Sequence, residues 1–351
     1  MRSGSSGGSR CGGIFFEHVV HFCLTEQRTI LATSFFIPVQ EGIKEVELRM
    51  RAQADGSSHP DLRAALEHLM AAGGKRVRPT IVMLTGNMLG ADHEKLVTLG
   101  AAVEMLHTAT LVHDDLIDGS LLRRGTPTLN ARWSPAATVL TGDFLFARAA
   151  KLAAETDYLP LMKLFSETLA VIVNGELSQM FAARGLIDRR TYCNRIYAKT
   201  ASLFEMSALA SAMVATEDEE TRAALKTYGY EIGMAFQIVD DVLDFNGAQE
   251  TVGKPVGSDL LNGLVTLPAI YYAESHPNDP EVILLAEGGW GNADRMEKLV
   301  RAIQGSKASR YAMDEAAEHV EKALAALGPF QASVEKEALE ELARYVVDRR
   351  L

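Results

Sequence analysis

Twice in this chain an apolar run with helical spacing ends in three carboxylates. Leu111 and Val112 lead into Asp114-Asp115-x-x-Asp118, and Phe236, Ile238 and Val239 lead into Asp240-Asp241-x-x-Asp244. On a helix, positions i and i+4 share a face with Cβ atoms roughly 5–6 Å apart, so Asp114 and Asp118 stand together while Asp115 is rotated aside. Asp is a poor helix former, and like charges one turn apart cost a helix roughly 0.2–0.5 kcal/mol. A single acidic run is ordinarily solvated surface. Two copies at apolar helix ends instead require a fold that gathers helix ends around compensating positive charge.

The rest of the sequence supplies the helices. From about Phe36 onward apolar residues recur with helical spacing, and no run alternates with period two, which predicts an all-α fold. Proline and glycine punctuation places helices at about 60–70, 79–89, 94–118, 136–156, 159–184, 189–215, 219–244, 265–275, 293–326 with a break near Gly305, and 332–347. No Pro/Ser/Gly linker divides them, so residues 37–351 read as one large helical bundle. Residues 1–36, Gly/Ser-rich at first, read as a flexible extension without a signal-peptide layout. The glycine-rich stretch 246–263, directly after the second acidic motif, is long enough to expect a functional loop.

Charge and composition narrow the partners. A formal net charge of -11 and a pI near 5.4 argue against a nucleic acid, which needs a basic face. Cys11, Cys23 and Cys193 form neither a metal spacing nor a disulfide framework, and no run of 18 uninterrupted apolar residues occurs, so a cytoplasmic protein without a transmembrane segment is expected. Carboxylates without accompanying His or Cys suit Mg²⁺, which keeps waters and bridges to substrate phosphates. Local cations are present to complete a diphosphate site: Lys75, Arg76 and Arg78 before Pro79, then Arg123-Arg124, Lys199-Thr200, and Lys254 in the glycine-rich loop. Pro79, near a helix start, would leave backbone N–H groups facing an anion.

As a set, Gly74-Lys75-x-x-Arg78-Pro79, His107, Leu111-Val112-His113-Asp114-Asp115-x-x-Asp118, Arg123-Arg124-Gly125, Gly142-Asp143, Gly175-Glu176 with Gln179, Lys199-Thr200, Phe236-Gln237-x-x-Asp240-Asp241-x-x-Asp244 and Gly253-Lys254 resemble the trans-prenyl diphosphate synthases of the polyprenyl synthetase family. The resemblance spans about residue 38 to the C-terminus. It implies an isoprenoid-synthase bundle around a central cavity, usually dimeric, that condenses isopentenyl diphosphate with an allylic prenyl diphosphate. Lys75, Arg78 and His107 would hold isopentenyl diphosphate, with Arg124 assisting. Arg123, Lys199, Thr200, Gln237 and Lys254 would hold the allylic diphosphate through Mg²⁺ on Asp114, Asp115, Asp118, Asp240, Asp241 and Asp244. Leu264 departs from the pattern, standing where many members have lysine.

In that family the product grows away from the first acidic motif. Ala109 and Thr110, five and four positions before Asp114, and Leu106 one turn deeper, are not Phe or Tyr, which favours a long product of seven or more isoprene units. The product could leave through peripheral contact with a membrane. Three alternatives have sequence markers. A geranylgeranyl or farnesyl diphosphate synthase would make a shorter product. A class I terpene cyclase would differ in its second acidic motif. A carboxylate di-metal bundle would use Glu104-x-x-His107 and need a second copy of it, and none is found.

Overall fold

The computed structural model describes residues 34–54, 59–123, 125–182, 184–246 and 256–349. Residues 1–33 of the expected extension, Arg124 and Lys254 lie outside the described residues.

Helix starts follow local chemistry. Asp92 accepts a hydrogen bond from the Lys95 amide (3.0 Å), Ser134 from Ala137 (3.3 Å), Asp188 from Thr191 (2.7 Å) and Ser333 from Lys336 (3.2 Å), each satisfying a donor that the first turn leaves open. Pro60, Pro135, Pro160, Pro268 and Pro280 occupy first turns, where a missing N–H costs nothing. The elements are α1 Gln40–Ala52, α2 Pro60–Ala71, α3 Val77–Met88, α4 His93–Ile117, α5 Leu129–Arg132, α6 Pro135–Ala154 and α7 Leu159–Phe181. Helix α8 runs from Arg189–Ile196 through a π-helical turn, Tyr197–Ala201, into Ser202–Ala215. There follow α9 Glu219–Asn246, α10 Ser258–Leu261, α11 Leu267–Ser275, α12 Pro280–Ala286, α13 Ala293–Gln304, α14 Ala308–Ala326 and α15 Val334–Asp348.

Helix α4 is buried on nearly every side from Leu96 to Leu106, because α1, α3, α6 and the second half of α8 all pack on it. It alone among the described helices is long and apolar enough to cross a membrane, and 72% of that window is buried inside the bundle. Helix α9 packs against α8 and α14, and α15 lies across α3 and α9. One continuous set of buried side chains runs from Phe35 to Val346. Each fully buried Leu, Ile or Phe in it contributes about 1.5–3 kcal/mol relative to exposure. Phe35 already packs on Tyr345, ring centres 5.3 Å apart, so the packed chain begins ahead of the 36/37 boundary drawn from the sequence.

Several boundaries differ from expectation. Helix α3 starts at Val77, which makes Pro79 its third residue rather than its first. Helix α1 and the short α5, α10 and α12 were not individually marked by periodicity. A two-residue antiparallel pair, β1 Leu122–Arg123 with β2 Thr126–Pro127, turns at Gly125, whose φ of 75° suits glycine.

Candidate active site

The first acidic motif closes α4, with Asp118 as its C-cap. The β1–β2 hairpin, closed by the bond from Thr128 Oγ1 to the Ser120 carbonyl (2.7 Å), folds back on this helix end. It brings Arg123 onto the buried Asp115: Nε donates to both carboxylate oxygens at 2.9 and 3.1 Å, and a terminal guanidinium nitrogen lies 2.9 Å from Oδ1. Asp115 is therefore a bound partner of Arg123, as its rotation away from Asp114 and Asp118 suggests. No hydrogen bond among the described residues engages the carboxylates of Asp114 or Asp118. Burial raises Asp114 to about 6; Lys199 and Arg123 pull it down while Glu176 and Asp118 push it up. This acid would gain from a cation.

Every carboxylate of the second motif, on α9, already has a partner. Asp240 lies 2.9 Å from Arg349, which also donates to the Phe236 carbonyl (3.0 Å) and stacks on its ring (3.9 Å). Desolvation raises Asp240, and Arg349, Lys75 and Arg78 pull it back. Asp241, 4% exposed, accepts from Tyr192 (2.7 Å) and Gln237 (2.8 Å); burial first, then the nearby Asp259 charge, push it up to about 7. Asp244 accepts from Ser258 (2.8 Å) and the Asp259 amide (3.2 Å), which ties α9 to the start of α10.

The π-helical turn of α8 joins the two halves. Lys199 lies 3.4 Å from Glu176; burial lowers its pKa, but Glu176, Asp114 and Asp118 outweigh that and keep the ammonium charged. The next residue, Thr200, donates to Gln237 (2.6 Å), which in turn donates to Asp241. Adjacent side chains thus address opposite acidic motifs, which suits the role of π turns in re-aiming residues at functional sites. Two glycines permit the approach. A Cβ on Gly175 would fall 2.4 Å from Ala198 Cβ, and one on Gly233 2.5 Å from Ala201 Cα, so α7 and α9 can both press against the turn and bring Glu176 and Gln237 to it.

The cations before α3 separate by direction. Lys75 donates to Tyr345 (2.8 Å), and Arg78 lies over the Phe204 ring at 4.6 Å. With Arg349 they form the positive side facing Asp240. Arg76, counted among the phosphate cations in the sequence, is turned away: it pairs with Glu47 (2.7 Å) and Glu104 (2.9 Å), its side chain 9% exposed. That occupies Glu104 and removes the basis for a Glu-x-x-His metal site at His107. The N-terminus of α3 carries no side-chain cap, so the Val77 and Arg78 amides suit an anion beside Lys75. Ala109 and Leu106 are wholly buried on α4, and Thr110, half-buried, donates to the His107 carbonyl (2.7 Å). Leu264 is half-buried beside Val265, whose carbonyl accepts from Arg195.

The donor set fits a hard divalent cation. No three of His, Cys, Asp or Glu converge on one point among the described residues. Sequence reasoning missed Arg349, Tyr192 and Glu176's pairing with Lys199. Only Arg349 left a signal, as a basic residue closing an amphipathic helix.

The polyprenyl synthetase family profile matches residues 59–303. The chain is 37% identical over 324 residues to a prenyl transferase of Synechocystis sp., covering 91% of this chain and 99% of that one. It is 37% identical over 285 residues to the octaprenyl diphosphate synthase of Haemophilus influenzae, covering 80% and 86%. The crystal structure of a Caulobacter crescentus polyprenyl synthase complexed with calcium and isoprenyl diphosphate superposes with a TM-score of 0.84 at 37% identity, covering 90% of this chain and 97% of that one. The chain belongs to the polyprenyl synthetase family and has its all-α fold.

Proposed function

We propose that this chain is a Mg²⁺-dependent trans-polyprenyl diphosphate synthase that condenses isopentenyl diphosphate with an allylic prenyl diphosphate and makes a long-chain product. The observation that carries this reading is the pair Lys199 and Thr200, adjacent in sequence and directed to opposite acidic motifs. A diphosphate lying between those motifs would meet the Lys199 ammonium on one side and the Thr200–Gln237 pair on the other. Asp114, Asp118 and Asp240 are the residues that would hold Mg²⁺, with Asp115, Asp241 and Asp244 behind them; the metal when bound supplies positive charge to the departing diphosphate.

Arg123 and Lys199 provide fixed donors where negative charge develops as the allylic carbon–oxygen bond breaks. Lys75, Arg78 and His107 hold isopentenyl diphosphate on the Asp240 side, with its alkene toward the allylic carbon. The apolar walls of α4 and α8 exclude water from the carbocation, and the last proton passes to the departing diphosphate. By the family resemblance Arg124 would assist with isopentenyl diphosphate and Lys254 with the allylic diphosphate.

The long product is favoured by the octaprenyl relative and by Ala109 and Thr110, which leave only a methyl group and a small hydroxyl one turn below Asp114. The exposed apolar side chains Val139 and Leu140 on α6, with Val173, Leu177 and Phe181 on α7, support a homodimer through these helices. Labelled isopentenyl diphosphate incubated with Mg²⁺ and C5, C10, C15 or C20 primers should enter products of seven or more units, resolved by chromatography after dephosphorylation. No incorporation with any primer would end the reading; consumption of the primer alone would indicate cyclase chemistry. Ala109→Tyr should shorten the products by at least one unit, and an unchanged distribution would remove Ala109 from the length-setting wall.

A further inference from the structure

Tyr192, on the first turn of α8, is among the largest wholly buried side chains, and its hydroxyl makes one buried hydrogen bond, to Asp241 Oδ2 at 2.7 Å. The other oxygen, Oδ1, accepts from Gln237 Nε2 (2.8 Å), and Gln237 Oε1 accepts from Thr200 (2.6 Å). Donors and acceptors therefore run in one direction, Tyr192 and Gln237 into Asp241 and Thr200 into Gln237. The amide of Gln237 has its orientation set by one oxygen of a carboxylate whose other oxygen Tyr192 holds. Arg195, one turn on, lies 5.6 Å over the Tyr192 ring and donates to the Val265 carbonyl, which fastens the ring between α8 and the segment before α11. A phenol in pure packing would not need this connection: phenylalanine fills the same space without a buried hydroxyl to satisfy.

We propose that Tyr192 is a positioning residue of the allylic half-site, holding Asp241 in the wall so that Gln237 and Thr200 face the metal-bound diphosphate. The proposal rests on the reading of the preceding section. It gives the buried second aspartate a fixed outer position, leaving Asp240 to meet the metal. Removal of an outer hydrogen-bond partner of this kind typically costs about 10–100-fold in metal affinity or activity.

The test uses Tyr192→Phe in the full-length chain, which keeps the ring and removes only the hydroxyl. Binding of Mn²⁺, followed by electron paramagnetic resonance in the presence of an allylic thiodiphosphate that resists ionisation, should weaken about 10–100-fold, while the KM for isopentenyl diphosphate stays within about twofold. In an Asp241→Ala background, which leaves the Tyr192 hydroxyl no acceptor at that position, the same tyrosine change should have little further effect. Binding within about twofold of wild type in Y192F, or an undiminished effect of Y192F in the D241A background, would overturn the proposal. A structure of the wild-type chain with metal and the thiodiphosphate decides the matter even where Y192F is unstable: Tyr192 parted from Asp241 overturns it. Wild-type protein that binds both probes yet incorporates no isopentenyl diphosphate would instead defeat the assigned reaction and leave this network standing.

Discussion

The two acidic motifs share a sequence pattern and differ in what surrounds them. At the end of α4, Asp114 and Asp118 have no hydrogen bond from the described residues, and only Asp115 is held, by Arg123. On α9 all three carboxylates are engaged: Asp240 by Arg349, Asp241 by Tyr192 and Gln237, Asp244 by Ser258 and the Asp259 amide. Position explains the contrast. Both motifs lie in the last turns of their helices, but the second is also packed between α8, α10 and α15, whose side chains bond its carboxylates. The same three aspartates thus form an open receiver on one side and a braced wall on the other, and substitutions should act differently on each.

The largest expected effect is at the open side. Asp114→Asn should lower kcat on the order of 10³-fold, since on the proposed reading it removes a charge that would hold metal and diphosphate. Steady-state rates at saturating Mg²⁺ check this. On the braced side, Ser258→Ala removes one of two donors to Asp244 and should raise the Mg²⁺ concentration for half-maximal rate about tenfold, with little loss of kcat. Equal effects of the two substitutions would break the comparison.

The smallest effect is in pH dependence of the metal-free protein. Asp114 and Asp241 are raised to about 6 and about 7 from an ordinary value of 3.8, so the folded state holds their protons more tightly than the unfolded chain. Their stabilising contribution is complete below about pH 4 and is lost as pH rises through 6 and 7. The melting temperature in EDTA should fall by a few degrees between pH 5 and pH 8. Asp114→Asn should flatten the lower part of that decline and Asp241→Asn the upper part. A melting temperature that rises over this interval would contradict both shifts.

Much of this was legible in the sequence because it is local. Helical spacing gave α2 through α4, α6 through α9, α11 and α13 through α15 within a few residues, and Pro60, Pro135 and Pro160 mark real starts. Lys199 faces Asp114 and Asp118, and Thr200 beside it bonds Gln237 of the second motif's helix, although 126 positions separate Asp114 from Asp240. What stayed hidden depends on tertiary encounters. Nothing in Gly74-Lys75-Arg76 says that the middle cation turns inward, because Glu47 and Glu104 come from α1 and α4. Nothing at Tyr192 announces Asp241, 49 positions away. The π turn was invisible because its helical spacing differs from the flanking α-helix by a single residue.

Arg76 has one consequence for the rhythm of turnover. It is one of two described non-glycine residues with positive φ, at φ 47° and ψ 33°, a conformation that costs roughly 1–3 kcal/mol and persists only when its surroundings enforce it. Its ion pairs with Glu47 and the buried Glu104 do so, nailing the stretch between Lys75 and Arg78 to α1 and α4. A polymerising enzyme must empty and reload its monomer seat many times while the growing chain stays in place. With isopentenyl diphosphate held by Lys75 and Arg78 as proposed, a seat whose floor is anchored from behind does not have to be rebuilt at each cycle, so successive additions start from the same geometry.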